Sequence, residues 1–188
     1  MMNTGCKLIL IVLALFSIPC GYAAEKPLQA GYGEFNITPK LGTTMPGYFS
    51  ERRADGILDP LLAKVLLLRH ENTEIAIIAA DLIGIPKPVV DKIRQEITQK
   101  TKIPTDHIFI HATHTHTGAT VSEIADVLPN QFTKAVQRAQ QNTQKTPSIS
   151  YGCGEEHSVA FIRRFLMKNG TVRTNPGRQN PEVVKPIG

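Results

Sequence analysis

The residues best suited to chemistry are histidines, and most of them lie close together in the sequence. The chain has six histidines, and four of them fall between His107 and His116. If this segment begins as a strand, the alternation of side chains places His114 and His116 on one side and the neighbouring threonines on the other. Neutral imidazole is a good zinc ligand, so the pair predicts a metal site at the carboxyl end of a strand, with threonines available to orient the rings.

The histidine cluster does not by itself complete a catalytic zinc site, which usually has three protein ligands and a water molecule. Asp81, at the end of an apolar run, is either an orienting residue or the cap of a turn. Glu155, Glu156 and His157 are further candidate ligands, although we expect them to form a solvated turn. We expect Cys153 to be a buried structural thiol rather than a nucleophile. The sequence contains no phosphate-binding glycine loop, no G-x-S-x-G motif and no H-E-x-x-H motif.

The composition excludes several classes of protein. Of the 188 residues, 41% are hydrophobic and 20% are charged, which is typical of a soluble globular chain and not of a disordered, collagen-like or polytopic membrane protein. The net charge of +5 is mild, the basic residues are scattered, and there is no tryptophan. We therefore expect no nucleic-acid partner.

The amino terminus has the pattern of a signal peptide, which we assign to residues 1–24. An apolar run extends over residues 8–19 and is too short to cross a bilayer as a helix, which takes about 20 residues. Small residues follow it, so we expect cleavage near Ala23 or Ala24 and export to the periplasm or the medium, with no membrane span in the mature chain. Lipidation at Cys20 is a weaker alternative because Pro19 precedes it, and an uncleaved anchor is a lesser one.

The rest of the chain predicts an α/β fold with mixed β-sheet layers flanked by helices. Two apolar runs, Leu61–Arg69 and Glu74–Ile83, flank a short polar connection and predict a hairpin whose strands are covered on both faces. The next predicted elements are a strand at Gln29–Ile37, a helix that starts near Pro86 and Pro88 with Val89, Ile93 and Ile97 on one face, and a strand from Asp106 to Thr115. They are followed by a helix from about Pro129 to Thr143, one or two strands over Ser148–Phe165 and a tight turn at Lys168–Thr171.

Several of these segments together resemble one known family. The most specific is Ala112–Gly118 (ATHTHTG), which is similar to the T-H-T-H-S-G segment of the neutral/alkaline non-lysosomal ceramidases. The resemblance covers about residues 28–188. Its other parts are Gly31–Pro39, Met45–Tyr48, Gly56–Leu61, Ala79–Leu82, the pair Arg163 and Arg164, and Lys168–Thr171.

The resemblance implies a zinc-dependent amidase that hydrolyses the N-acyl bond of ceramide to a sphingoid base and a fatty acid. It implies that His114 is a zinc ligand and that His116 is a catalytic residue beside it, hydrogen-bonded to water or substrate. The family's other zinc ligands, a histidine, a glutamate and a tyrosine, lie further along a longer chain. We therefore interpret residues 25–188 as an incomplete amino-terminal portion of a larger catalytic domain, with residues 173–188 as an irregular, open-ended tail.

Two further expectations follow from that interpretation. A sheet cut within a domain leaves unpaired edges and an exposed apolar face, which predicts poor solubility. Whether the chain is active alone is left open, and the alternative function is that of a non-catalytic exported protein that binds a lipid or a partner.

Overall fold

The computed structural model describes residues 26–145, 149–159 and 161–187, so the predicted signal peptide lies outside the described residues. The described chain forms two compact units. The larger unit takes the described residues before Ile149, and the smaller unit takes those from Ile149 onward. Within the described ranges, no helix is both long and apolar enough to cross a membrane.

The larger unit is a mixed sheet with helices packed on it, which confirms the predicted α/β class. The strands lie in the order β4-β3-β2-β1-β5, with β3 and β4 parallel and the other neighbours antiparallel. A short 3₁₀ turn, Thr105–His107, precedes β4. The elements in chain order are β1 (Gln29–Asn36), β2 (Leu62–His70), β3 (Thr73–Ala80), α1 (Lys87–Thr101), β4 (Ile108–Ala112), α2 (Val121–Ile124), α3 (Leu128–Gln141) and β5 (Gln144–Lys145).

The core lies between the sheet and helices α1 and α3. Apolar residues recur one turn apart on α1, and Ile93 and Ile97 are fully buried. Phe132 is fully buried on α3, which packs closely over β1. This approach requires glycine in the strand, because a Cβ at Gly33 would lie 2.2 Å from the carbonyl oxygen of Ala135. The sequence predicted the start of α1 and both ends of α3 to within two residues.

The β2–β3 hairpin is confirmed, with Arg69 opposite Glu74 and His70 opposite Thr73. The expectation that both faces of these strands are covered is wrong for the described residues. Alternate residues on one face are buried under the helices, while the most exposed apolar side chains on the other face are 40–57% exposed. The helices among the described residues pack on one side of the sheet. We call the other side the open face, and its most exposed apolar residues are Tyr32, Leu66, Ile75 and Phe109.

The smaller unit is a three-stranded antiparallel sheet. Its strands are β6 (Arg164–Met167), β7 (Val172–Thr174) and β8 (Val183–Pro186), in the order β7-β6-β8. The predicted tight turn joins β6 to β7, and the amide of Gly170 donates to the carbonyl of Met167 at 2.9 Å. Gly170 has a φ of +78°, which glycine adopts without strain.

Two predictions for this part of the chain are corrected. The strand expected within Ser148–Phe165 begins only at Arg164, and the described residues 149–159 contain no strand. The segment 173–188, expected to be irregular, supplies β8 and most of β7. In both places the pairing partner decides the outcome, since β6 forms its ladder with residues that are 6 to 21 positions away along the chain.

Candidate functional site

The carboxyl edge of the parallel pair β3–β4 carries the histidine segment. The amide of Thr113 donates to the carbonyl of Ala80 at 2.9 Å, and the amide of His114 donates to the carbonyl of Leu82 at 3.0 Å. Open α/β sheets place ligands at this edge. His114 has a φ of +62°, which is unfavourable for a residue with a Cβ. Strained backbone of this kind is concentrated at functional sites.

The structure brings His114 and His116 together. Their ring centroids lie 5.1 Å apart with an interplanar angle of 80°. The Nδ1 atom of His114 lies 2.7 Å from the carbonyl oxygen of Ile83, and that of His116 lies 3.1 Å from the carbonyl oxygen of Gly47. A carbonyl oxygen only accepts hydrogen bonds, so in each neutral ring the proton lies on Nδ1 and the lone pair on Nε2. Both rings therefore have the tautomer of a histidine prepared to ligate a metal through Nε2.

The exposed side chain of His116 is also contacted by the loop between β1 and β2. Gly47, with a φ of +91°, lies directly against the ring, and a Cβ at this position would be 2.2 Å from Nδ1 of His116. The ring of Tyr48 packs edge-on against His116, with centroids 6.1 Å apart. The guanidinium of Arg52 lies over the ring of Tyr48 at 4.2 Å. We call Gly47, Tyr48 and Arg52 the clamp, since together they restrict where the imidazole can lie.

The loop that carries the clamp is tied to the helical side of the site. The amide of Thr120 donates to the carbonyl of Thr44 at 2.8 Å. The hydroxyl of Thr44 donates to the carboxylate of Glu123 in helix α2. The position of the clamp therefore depends on contacts about 75 residues apart in the sequence.

The threonines of the segment do not orient the histidines, which corrects that expectation. Thr115 and Thr117 hydrogen-bond to each other at 2.9 Å, and Thr113 donates to Asp81 at 3.3 Å. Backbone carbonyls hold the imidazoles instead. Asp81 also accepts a hydrogen bond from the amide of Leu62 at 3.0 Å, so it links the end of β3 to the start of β2. Of the two roles expected for Asp81, these contacts favour the capping role.

The other histidines of the cluster lie apart from the pair. Nδ1 of His107 lies 3.0 Å from the carbonyl oxygen of Glu74. The ring of His111 lies beside Phe109 on the exposed side of β4, with centroids 5.8 Å apart. These contacts are structural, so only two of the four clustered imidazoles form a candidate site.

The smaller unit contains the remaining candidates. Glu155 and His157 pair at 3.2 Å with both side chains more than 80% exposed, which agrees with the predicted solvated turn. Hydrogen bonds from Ser158 lower the pKa of the exposed Glu156 carboxyl. Cys153 is exposed, so the prediction of a buried thiol is wrong.

The donor chemistry of the pair fits zinc, but the set is incomplete. Each ring offers one Nε2 lone pair, and zinc binds neutral imidazole well. Among the described residues, no group of three or more His, Cys, Asp or Glu side chains could hold a metal ion. The pair therefore supplies at most two of the three protein ligands that a catalytic zinc usually has.

Comparison with solved structures identifies the fold. The structure matches neutral ceramidase from Pseudomonas aeruginosa with a TM-score of 0.59 and 21% sequence identity over 63% of this chain. A second structure, described as ceramidase complexed with C2, matches with a TM-score of 0.58, also at 21% identity over 63% of this chain. The likeness spans 22% of each of those chains. No protein-family model matches the sequence, and no curated protein matches significantly. The resemblance to neutral ceramidase expected from the sequence motifs is thus confirmed at the level of the fold.

Two residues with a part in the site were not identified from the sequence. Ile83 contributes only its carbonyl oxygen, for which side-chain type gives no signal. Gly47 was recognised as a turn residue and a motif position, but not as the neighbour of His116, which is 69 residues away.

Proposed function

We propose that this chain takes part in the zinc-dependent hydrolysis of a linear lipid amide of the ceramide type. The reaction adds water across the C–N bond and yields a long-chain amine and a fatty acid. The observation that carries the proposal is the pair of adjacent imidazoles, each with Nδ1 on a backbone carbonyl and Nε2 available, on a fold shared with neutral ceramidase.

In this proposal the two histidines have different roles. His114 is held on a strained backbone and ligates zinc through Nε2. Zinc, when bound, supplies Lewis-acid activation of the amide carbonyl and of water. His116, in contact with the clamp, uses Nε2 to accept a proton from water and to return it to the departing amine. The bond from Nδ1 to Gly47 stabilises the protonated ring and fixes its direction.

The other zinc ligands must come from outside the described residues, since those residues contain no complete group. The solved ceramidase chains extend far beyond the matched region. We further propose that residues 1–24 direct export to the periplasm or the medium, where the lipid amide is met.

The incomplete ligand set also favours a second candidate, a non-catalytic exported protein that binds a lipid or a partner. Zinc content and hydrolysis together separate the two candidates. The sample is the purified protein in its longest expressed form, which includes any segment that supplies the remaining ligands, analysed for zinc by mass spectrometry and tested for hydrolysis of a fluorogenic N-acyl lipid amide.

Three variants test the roles. We expect His114→Ala to lose at least about tenfold in zinc affinity. We expect His116→Ala to retain zinc and to lose about 10²–10⁴-fold in rate. His111→Ala is the matched control, since its imidazole is exposed on β4 and lies apart from the pair. Equal zinc content in His114→Ala and His111→Ala would disprove the assignment of His114 as a zinc ligand. A folded protein that neither binds zinc nor hydrolyses the amide would favour the non-catalytic candidate.

A further inference from the structure

A cleft of about 670 Å³ borders the imidazole pair without containing it. Its walls come from the loop between β1 and β2 and from Thr115, Thr117 and Gly118 of the histidine segment. Met45, which also lines the cleft, is two residues before Gly47 of the clamp. This volume lies in the range of about 300–1,000 Å³ that is typical of small-molecule sites.

The open apolar lining of the cleft is suited to an alkyl chain. Its apolar lining includes Leu41, Met45, Ile57, Leu58 and Leu61, and Gly118 and Ala119 add no side-chain bulk. Leu58 and Ile57 are 101% and 56% exposed, so these apolar side chains are left to water at the cleft. Covering them with hydrocarbon removes apolar surface from water, which is the main source of affinity for lipid ligands.

The charges that line the cleft are predominantly negative. Three carboxylates, Asp55, Asp59 and Asp81, line it, against the single guanidinium of Arg52. Asp81 accepts hydrogen bonds from the protein. Asp55 and Asp59 are exposed and take no part in the ion pairs among the described residues. The guanidinium of Arg52 lies over Tyr48. The lining therefore favours a ligand with a cationic head and disfavours one with a carboxylate.

We propose that this cleft binds a long-chain alkyl amine, with the chain among the apolar residues and the ammonium group near Asp55 and Asp59. The biological assignment rests on the proposed function, in which such an amine is one of the two products of hydrolysis. An alkyl amine is protonated at neutral pH, as the lysine side chain is. The cleft thus receives the leaving-group half of the substrate, and the fatty-acid half lies outside it.

The test compares two probes with the same chain and opposite charge, dodecylamine and dodecanoate. Both are titrated into the purified 188-residue chain by isothermal calorimetry. We expect dodecylamine to bind about tenfold more tightly than dodecanoate. This preference should weaken in about 1 M salt, where charges are screened within about 3 Å. Equal affinities, tighter binding of dodecanoate, or no binding of either probe would overturn the proposal.

One pair of variants tests where dodecylamine binds. Gly56 lines the cleft, and its φ is not positive. A Cβ added at Gly56 would meet no heavy atom within 4 Å. The variant Gly56→Phe therefore adds an aromatic ring at the cleft without a backbone clash. We expect it to weaken dodecylamine binding at least about tenfold. Gly152→Phe is the matched control, because Gly152 has the same open space and belongs to the smaller unit. Equal affinity in both variants would mean that the amine binds elsewhere, for example on the open face, and would refute the assignment.

The charge argument has its own variants. The double variant Asp55→Asn with Asp59→Asn should lose most of the preference for dodecylamine. The control is the double variant Asp106→Asn with Asp126→Asn, whose two residues are exposed and lie outside the cleft, and it should keep the preference. An unchanged preference in the first pair would refute the role of the two carboxylates. Neither probe is hydrolysed, so the binding result stands apart from the zinc and rate measurements. If the protein hydrolyses the lipid amide but does not prefer dodecylamine to dodecanoate, only the inference about the cleft is rejected. If it prefers dodecylamine but neither binds zinc nor hydrolyses the amide, only the proposed function is rejected.

Discussion

Replacing Gly47 with alanine tests whether the clamp sets the position of His116. The new Cβ would lie 2.2 Å from Nδ1, 2.6 Å from Cε1 and 2.9 Å from Cγ of the imidazole. Ordinary van der Waals contact begins at about 3.4 Å, so the ring or the loop must move by about 1 Å. The movement breaks or lengthens the 3.1 Å bond from Nδ1 to the carbonyl of residue 47.

The size of the effect follows from two contributions. A side chain at a φ of +91° costs roughly 1–2 kcal/mol of the free energy of unfolding. Loss of the imidazole hydrogen bond adds about 0.5–1.5 kcal/mol. A displacement of about 1 Å in a catalytic group can reduce the rate by about 10²-fold, which is the loss we expect in lipid amide hydrolysis.

Gly42→Ala is the matched control. Gly42 has a φ of +87°, but a Cβ there meets no heavy atom within 4 Å. It should therefore show the backbone cost, measured by urea unfolding, without the displacement of His116. The stability difference between the two variants isolates the contact with the ring.

The direct assay is nitrogen-15 NMR of the imidazoles at about pH 8.5, two units above the ordinary histidine pKa. The wild-type His116 should show the Nδ1–H tautomer, and Gly47→Ala should show a mixture with Nε2–H because the carbonyl acceptor has moved. Gly42→Ala should match the wild type. If Gly47→Ala keeps the wild-type tautomer and has the same stability as Gly42→Ala, the clamp does not position His116.

Two other predictions concern the sheet. The open face should promote self-association, so Leu66→Glu with Phe109→Glu should reduce binding of a hydrophobic dye and sedimentation as oligomers, with little loss of stability. The control Ile78→Glu, on the buried face, should instead unfold the larger unit. Equal dye binding by the wild type and by the Leu66→Glu, Phe109→Glu variant would contradict a role of the open face in self-association. Separately, the hydrogen bond from Tyr32 to the Glu34 carboxylate is the main cause that raises the pKa of Tyr32. Because the folded-state pKa is raised, this stabilisation is present below the ordinary tyrosine pKa of about 10 and is lost as the pH rises through the folded-state value. Phenolate absorbance should titrate at lower pH in Glu34→Gln and not in the control Glu71→Gln, and an unchanged titration in Glu34→Gln would reject the cause.

The sequence by itself determined the main elements of the larger unit. The spacing of Ile93 and Ile97 predicted helix α1, and the two apolar runs around Glu71 and Asn72 predicted the β2–β3 hairpin. These are local signals, because helix periodicity and turn chemistry are read over a few residues. The strand predicted to continue to Thr115 ends at Ala112, so strand alternation does not explain why His114 and His116 lie together.

Local signals could not show which faces and edges the rest of the chain covers. The non-alternating runs of β2 and β3 are compatible with burial on both sides, yet the described helices pack on one. Strands β7 and β8 have no distinctive local pattern of hydrophobic residues. They form because β7 pairs with one edge of β6 and β8 pairs with the other. The exposure of Cys153 depends in the same way on what packs around it.

At the candidate site, the sequence identified the side chains to which the proposal assigns the chemistry, and the tertiary structure decided how they are held. His114 and His116 were identified by residue type and spacing. Their orientation depends on the carbonyls of Ile83 and Gly47, which are 31 and 69 residues away and carry no side-chain signal. A backbone carbonyl is present at every residue, so only the path of the folded chain determines which one meets an imidazole.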